Sequence, residues 1–146
     1  MRILGIDFGD RNIGLALSDS LRLTAQPLGL YQFRDREDAE KKFFGDLIRK
    51  HEIGEIVCGI PLRMDGSSGT RAEKTRAFAR WLEKAVGVPV RLWDERLTTR
   101  QAIHVMHEQK VKLSAKKSVV NQISATIILQ TYLDSQRADA HVSENH

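Results

Sequence analysis

The chain has 146 residues, one cysteine and a formal net charge of +4 at neutral pH. This length predicts a single domain whose core is large enough to fold without disulfide bonds. One cysteine excludes an internal disulfide and a cysteine-rich metal cage, and no apolar run approaches the length of a membrane span. Since the chain opens on a predicted strand rather than on an apolar signal region, we expect a cytoplasmic protein.

Charged residues are unevenly distributed along the chain. Acidic residues concentrate between Asp35 and Asp46, whereas basic residues recur from Arg63 to Lys117. Such asymmetry suggests an anionic partner, of which nucleic acid is the natural candidate. A solvated helix face explains a net charge of this size about as well.

The first predicted elements are two strands joined by a tight turn. An apolar run from Ile3 to Ile6 reaches Asp7, breaks at residues 9–12 and resumes as a second apolar run towards Asp19. Because an unpaired buried charge is costly, Asp7 is expected to be solvated at a cleft, paired with another group or bound to a cation. The alternative is that Asp7 accepts a hydrogen bond from an N–H group of the turn.

A third strand, ending near Phe33, completes a predicted three-stranded meander. Residues 34–54 then change to helical spacing, and Glu55–Ile60 is typical of a short buried strand. A loop rich in glycine and serine follows over residues 61–69 and contains Asp65. Open α/β sheets usually bind ligands at this end of a strand.

A second buried strand is predicted to end in a carboxylate. A helix over about residues 70–87 leads to a strand over residues 88–93, which runs directly into the acidic residues before and at Glu95. A catalytic or metal-binding role is one interpretation of Glu95. The alternative is an ion pair with Arg96 or Arg100.

The C-terminal part is predicted to be helical. A helix through about Glu108 is followed by a longer helix over about residues 115–135, whose apolar residues surround it almost completely and predict substantial burial. Residues 136–146 are polar and aperiodic, so we expect a disordered tail. The folded domain is therefore predicted to span residues 1–135.

The order of these elements predicts an α/β fold with a mixed five-stranded sheet flanked by helices. The first three strands are antiparallel, and right-handed helical crossovers lay the last two parallel to the first. The carboxyl ends of the first, fourth and fifth strands then share one rim, which brings together Asp7, the loop with Asp65, and Glu95. Oxygen ligands without thiols or a histidine cluster suit Mg²⁺ or Mn²⁺, and the flanking basic residues favour phosphodiester hydrolysis.

Four sequence blocks span nearly the whole predicted domain. They are Gly5-Ile6-Asp7-Phe8-Gly9 with Ile13-Gly14-Leu15-Ala16, Gly59-Ile60-Pro61-Leu62 with Met64-Asp65-Gly66, Asp94-Glu95-Arg96-Leu97-Thr98-Thr99, and Ser124-Ala125-Thr126-Ile127-Ile128-Leu129-Gln130. Together, in this order, they closely resemble the YqgF/RuvX family of Holliday junction resolvases. The resemblance implies a ribonuclease H-like fold, a cytoplasmic bacterial protein, and divalent-metal nuclease activity on branched DNA or precursor ribosomal RNA. It also implies that Asp7 and Glu95 are catalytic carboxylates, with Asp65 as an accessory residue.

The chain departs from the family pattern at the third acidic position. Where the family usually has an aspartate early in the last helix, this sequence has Asn121. An amide oxygen can bind a hard cation but removes one negative charge, so we expect weaker metal binding, altered metal preference or lost catalysis. The alternative is an ordinary polar residue near a helix start. The predicted catalytic and metal-binding residues are thus Asp7, Glu95 and Asn121.

Three functional hypotheses follow from these residues. The first is a metal-dependent, structure-selective endonuclease, monomeric or homodimeric. The second is a nucleic-acid-binding module that cuts poorly because of Asn121. The third is a phosphate-transferring relative, since a similar strand and turn open the actin and sugar-kinase fold, but the chain is too short for that fold's second lobe. The residues predicted to bind nucleic-acid phosphates are Arg63, Arg71, Arg96, Lys116 and Lys117.

Other reactive or aromatic side chains have simpler interpretations. Cys58 and Trp81 are predicted to be core residues, and His104 and His107 surface residues. Trp93 is predicted to pack in the core, with stacking on a nucleobase as the alternative.

Overall fold

The computed structural model describes residues 1–98 and 117–144. The strands within these ranges are β1 (Arg2–Phe8), β2 (Asn12–Ser18), β3 (Ala25–Gln32), β4 (Ile53–Ile60) and β5 (Val90–Asp94). They form one sheet in the order β3-β2-β1-β4-β5. β1 and β3 are antiparallel to β2, whereas β4 is parallel to both β1 and β5. The predicted mixed five-stranded sheet is confirmed.

Helices connect and cover the strands in the described ranges. They are α1 (Glu37–His51), α2 (Thr70–Val86) and α3 (Lys117–Glu144), together with a short 3₁₀ helix at Glu95–Thr98. α1 links β3 to β4, and α2 links β4 to β5. None of the helices in the described residues is long and apolar enough to cross a membrane.

The two faces of the sheet carry separate cores because successive side chains of a strand point to opposite sides. On one face, Leu4 packs in a cluster with Phe44 of α1 and Leu82 of α2. On the other face, Ile3 packs in a cluster with Leu129 of α3. The residue after Leu4 in β1 therefore faces α3, and this alternation decides which side chains can meet at the rim.

Gly5 allows α3 to lie directly against the middle of the sheet. A Cβ added at Gly5 would be 2.8 Å from Leu129 Cβ and 3.1 Å from the Ala125 carbonyl oxygen. Both atoms are close to the helix backbone, so a larger residue would push the whole helix outward. Ala125 and Leu129 are fully buried, which confirms the predicted burial of this helix.

α3 is longer than its sequence predicts. It continues to Glu144, past the predicted end near Ser135, and so includes residues 136–144, for which a disordered tail was expected. Glutamine, arginine and alanine, which occupy residues 136–138, all favour helix, and a helix already nucleated by packing extends readily through such residues. The predicted helix through Glu108, with His104 and His107, lies outside the described residues.

Candidate active site

Asp7 and Glu95 meet at the carboxyl end of the parallel strands. Asp7 is near the end of β1, and Glu95 immediately follows β5. β4 lies between these two strands, with Cys58 paired to Ile6 and Gly59 paired to Trp93. The two carboxylates therefore flank the end of β4, as the predicted rim requires.

Both carboxylates lie on the face of the sheet that α3 covers. Asp7 is two residues beyond Gly5, so their Cα–Cβ directions share a face. A Cβ added at Gly59 would be 2.9 Å from Glu95 Oε1 and 2.5 Å from Ile128 Cδ1. Because Gly59 has no side chain, the Glu95 carboxylate can lie against the strand at this position, beneath α3. Sequence reasoning missed this role, although a glycine inside a buried strand is a signal of close approach.

Burial and like charge make this carboxylate pair unusual. Burial raises the pKa of Asp7 from its ordinary value of 3.8 to about 6. Burial, followed by the negative charge of Asp7, raises the pKa of Glu95 from 4.5 to about 7. Structural carboxylates usually have pKa values at or below the ordinary range, whereas strongly perturbed acids in a cleft are typical of functional sites.

Among the described residues, Arg71 in the first turn of α2 is a cation that opposes this negative charge. Its guanidinium lowers the pKa of both Asp7 and Glu95, although less than burial raises them. The side chain is exposed, so it is also accessible to an anionic ligand. The sequence predicted Arg71 only as a phosphate-binding residue, and its closeness to both carboxylates came from the fold.

The Asp65 carboxylate forms hydrogen bonds within its own loop. Its Oδ1 accepts hydrogen bonds from the Ser67 backbone N–H at 2.9 Å and the Ser67 hydroxyl at 2.6 Å. These bonds hold the pKa of Asp65 below its ordinary value, and the residue is exposed. The described contacts of Asp65 are those of a turn-forming residue.

The Arg96 guanidinium forms an ion pair with the Asp94 carboxylate. Its Nη2 donates to Asp94 Oδ2 at 2.7 Å, and its Nε lies 3.0 Å from the same oxygen. Its Nη1 donates to the Met64 carbonyl oxygen at 3.2 Å. Arg96 therefore ties the end of β5 to the loop over residues 61–69, while the Arg63 guanidinium lies over Gly69 at the start of α2.

The helix α3 runs antiparallel to β4, because Tyr132 contacts Glu55 near the start of that strand and Ile128 contacts Gly59 near its end. The first turns of α3, which include Asn121, therefore lie towards the rim. The side chains of Asn121 and Lys117 are outside the described part of the structure, as is the whole of Lys116.

The donor chemistry of the rim suits a hard cation. Two crowded carboxylates with raised pKa values would be relieved by a divalent ion, which prefers oxygen ligands. Among residues 1–98 and 117–144, there is no group of three or more histidine, cysteine, aspartate or glutamate residues placed to hold a metal. Asp7 and Glu95 are thus a pair of acidic oxygen donors at the rim and not part of a larger group of this kind within the described residues.

Three other side chains that were predicted to be core residues, Cys58, Trp81 and Trp93, do pack in the core. Cys58 is 1% exposed, and burial raises the pKa of its thiol. Trp93 packs edge-on against Tyr132, with ring centroids 5.6 Å apart, in the α3 core. Trp81 is half-buried against Phe78, so both tryptophans contribute to the core.

The chain is similar to known proteins in both sequence and fold. Residues 1–135 match the family RuvX, which is described as "Holliday junction resolvase". The chain belongs to the RuvX family. Its Asp7 and Glu95 are therefore a carboxylate pair at the strand ends of a RuvX domain.

RuvX-family relatives are similar along nearly the whole chain. A protein from Halothermothrix orenii named "Putative pre-16S rRNA nuclease" is 46% identical over 136 residues, covering 93% of this chain and 96% of the relative. A protein of the same name from Pelotomaculum thermopropionicum is 43% identical, covering 93% of this chain and 88% of the relative. The chain is thus a member of a nuclease family.

The same fold occurs in RuvC from Thermus thermophilus. The structure described as "T. thermophilus RuvC in complex with Holliday junction substrate" has a TM-score of 0.66 and 15% identity, covering 94% of this chain and 96% of that chain. A second structure of Thermus thermophilus RuvC has a TM-score of 0.55. At this identity the likeness shows the fold alone, and it confirms the predicted ribonuclease H-like architecture of this RuvX domain.

Proposed function

We propose that this protein is a divalent-metal-dependent, structure-selective endonuclease that hydrolyses phosphodiesters in branched DNA or in precursor ribosomal RNA. The observation that carries the proposal is the pair of crowded carboxylates, with pKa values raised to about 6 and about 7, at the strand ends of a RuvX-family domain. Both candidate substrates occur in the bacterial cytoplasm, where we expect the protein to act.

The proposed roles follow from the position of each side chain. Asp7 and Glu95 would hold Mg²⁺ or Mn²⁺, which when bound polarises a phosphoryl oxygen and helps to generate hydroxide. Arg71 is within electrostatic range of both carboxylates and is the best-placed cation to orient a phosphate beside them. Asn121 would add an amide oxygen from the first turns of α3.

Further phosphate contacts are assigned to exposed basic residues around the rim. Arg63 lies over the start of α2, and Arg96 bridges Asp94 and the loop before α2. Because its guanidinium is already paired, Arg96 is expected to shape the loop as well as to attract the nucleic-acid backbone. Lys116 and Lys117 are given the same role from the sequence alone, since their side chains lie outside the described part of the structure. Two-fold symmetric cutting of a junction would require a homodimer, and a monomer suffices for a single cut.

A second candidate function is nucleic-acid binding with little or no cleavage. It is favoured by one observation, namely that Asn121 occupies the α3 position where an aspartate would add a third negative charge. With fewer charges a site binds Mg²⁺ more weakly, and catalysis falls accordingly.

Cleavage of labelled substrates tests the first proposal. A four-way DNA junction and a structured precursor RNA would be incubated with Mg²⁺ or Mn²⁺, beside the Asp7→Asn variant. We expect cutting of at least one substrate by the native chain and a loss of about 100-fold or more in the variant, since a ligand to the metal is lost. Equal cutting by both proteins would exclude Asp7 from the site.

The Asn121→Asp variant separates the two candidates. If the native chain binds nucleic acid without cutting and Asn121→Asp cuts, the binding function is correct and the missing charge is its cause. If the native chain already cuts at a rate that Asn121→Asp does not increase, the amide is a sufficient ligand.

A further inference from the structure

The most exposed large apolar side chain in the described residues is at the catalytic rim. Met64, in the loop between β4 and α2, is 92% exposed. Leu97, next to Arg96 in the 3₁₀ helix, is 63% exposed. A single exposed apolar side chain is common on protein surfaces, so what distinguishes Met64 is its position in the loop at the rim.

The backbone that presents Met64 is fixed by hydrogen bonds. The Gly66 N–H donates to the Arg63 carbonyl oxygen at 2.8 Å, and the Arg63 N–H donates to the Ser67 carbonyl oxygen at 3.0 Å. Gly66 has a φ of +87°, a conformation that favours glycine. The two hydrogen bonds of Asp65 to Ser67 close the same turn. Met64 is therefore held outward at the tip of a defined turn.

The same turn is connected to the carboxylates through two arginines. Arg96 donates to the Met64 carbonyl oxygen at 3.2 Å and binds Asp94, the residue before Glu95. At the other end of the loop, α2 begins and places Arg71 beside Asp7 and Glu95. Hydrogen bonds thus connect the turn of Met64 to the residue before Glu95, and the same loop leads into the helix that carries Arg71.

Several arginines lie around this apolar tip, which is followed by the carboxylate of Asp65. Arg63 and Arg96 lie in or against the turn, Arg76 donates to the Ser68 hydroxyl at 3.1 Å, and Arg71 follows in α2. A protein partner usually meets a contiguous apolar patch, whereas a single apolar side chain among arginines complements bases flanked by phosphates. Methionine is among the side chains that enter between stacked bases in this way.

We propose that Met64 is an apolar wedge that inserts between bases of the nucleic-acid substrate at a branch point or other opened step. Insertion requires unstacking, which costs least where the duplex is already interrupted. The wedge therefore selects branched or opened substrates over continuous duplex, while the surrounding arginines bind both. The proposal rests on the nuclease function proposed above and assigns to the loop the selection of substrate shape.

The test measures binding and base unstacking without cleavage. All variants are made in the Asp7→Asn background, in Mg²⁺, and are titrated with a four-way junction carrying 2-aminopurine at the branch point. A three-way RNA junction of the same design and linear duplexes of both kinds are measured in parallel. Met64→Ala removes the wedge, Met64→Leu retains an apolar side chain of similar size, and Leu21→Ala is the matched control.

Leu21 is a suitable control because it is 75% exposed and lies in the β2–β3 connection, at the opposite end of the sheet from the rim. We expect junction binding to raise 2-aminopurine fluorescence in the parent, Met64→Leu and Leu21→Ala proteins. Met64→Ala should lose this rise and bind the junction about tenfold more weakly, with its duplex affinity unchanged within twofold.

Unchanged junction affinity and fluorescence in Met64→Ala would overturn the wedge and leave the nuclease proposal intact. If the parent binds neither junction, the nuclease proposal fails, and the wedge fails with it. Melting temperatures of the variants should be equal, since an exposed side chain contributes little to folding.

Discussion

Two parts of the molecule bury carboxylates in opposite ways. Glu40, in the first turns of α1, is 1% exposed, and its oxygens accept hydrogen bonds from the Tyr31 hydroxyl and from the Arg34 and Arg36 backbone N–H groups at 3.0 to 3.3 Å. At the rim, burial and the charge of Asp7 raise the pKa of Glu95 to about 7.

This comparison distinguishes a structural carboxylate from a candidate catalytic one. Donors converge on Glu40 from the chain segment that enters α1, so its charge closes a turn and caps a helix. Asp7 and Glu95 place two negative charges near each other in a half-buried cleft, an arrangement that costs stability and is expected to be relieved by a cation or substrate. Burial alone does not identify a functional acid.

The largest expected effect on stability is at Glu40. Glu40→Ala would leave the Tyr31 hydroxyl and two backbone N–H groups without their acceptor. We expect the free energy of unfolding to fall by about 2–4 kcal/mol. Urea denaturation measures it, with Asp38→Ala as the control, because Asp38 is exposed in the same helix turn and should change stability by less than about 0.5 kcal/mol. A loss of cleavage in folded Glu40→Ala, without loss of stability, would contradict the structural role.

The second expected effect is a dependence of stability on pH in metal-free protein. The pKa of Asp7 is raised from 3.8 to about 6 in the folded state, so folding is favoured while the group is protonated. That contribution is fully present below about pH 4 and is lost as pH rises through about 6. The charged pair therefore destabilises the metal-free fold at pH 8.

Asp7→Asn should therefore stabilise the metal-free protein at pH 8 by up to about 3 kcal/mol, because the pKa of Asp7 is raised from 3.8 to about 6 in the fold. The gain should disappear at pH 4. Mg²⁺ should stabilise the native chain at pH 8 and leave the variant nearly unchanged, since only the native pair binds the ion well. Denaturation in EDTA and in Mg²⁺ measures these differences. If the free energy of unfolding changed with pH in the same way for both proteins, the predicted cost of burying the Asp7 charge would be refuted.

The smallest expected effect on stability is at Gly59, which is compared with Gly45 as a control. Gly59→Ala would bring a Cβ within 2.9 Å of Glu95 Oε1 and 2.5 Å of Ile128 Cδ1. Both are side-chain atoms that can move, so we expect a loss of only about 1–2 kcal/mol in stability but a loss of about tenfold or more in cleavage, because Glu95 is displaced.

Gly45→Ala is the matched control in α1. An added Cβ there would be 3.5 Å from the nearest atom, in Arg49, which is an ordinary contact. A helical alanine should stabilise the protein by about 0.5–1 kcal/mol and leave cleavage unchanged. If Gly59→Ala behaved like Gly45→Ala in both assays, Gly59 would not be needed to position Glu95.

Sequence patterns located the sheet and the position of Asp7 and Glu95 at its rim. Apolar runs that end in Asp7 and Glu95, separated by helical segments, imply parallel strands with their carboxyl ends together. Local patterns were less informative about Arg96, whose binding to Asp94 and Met64 depends on two loops meeting. The end of α3 was also missed, because a polar helix and a polar tail have similar composition.

The sequence by itself determined the mixed five-stranded sheet, the buried last helix and the rim to which Asp7 and Glu95 both belong. Periodicity and strand-end residues are local properties, so they survive without knowledge of long-range contacts. Only the tertiary structure decided that Glu95 folds over Gly59, that Arg71 opposes both carboxylates, and that Met64 stands outward on a fixed turn. These features depend on atoms from distant segments meeting within a few ångströms, and the packing of β4, α2 and α3 is what brings them together.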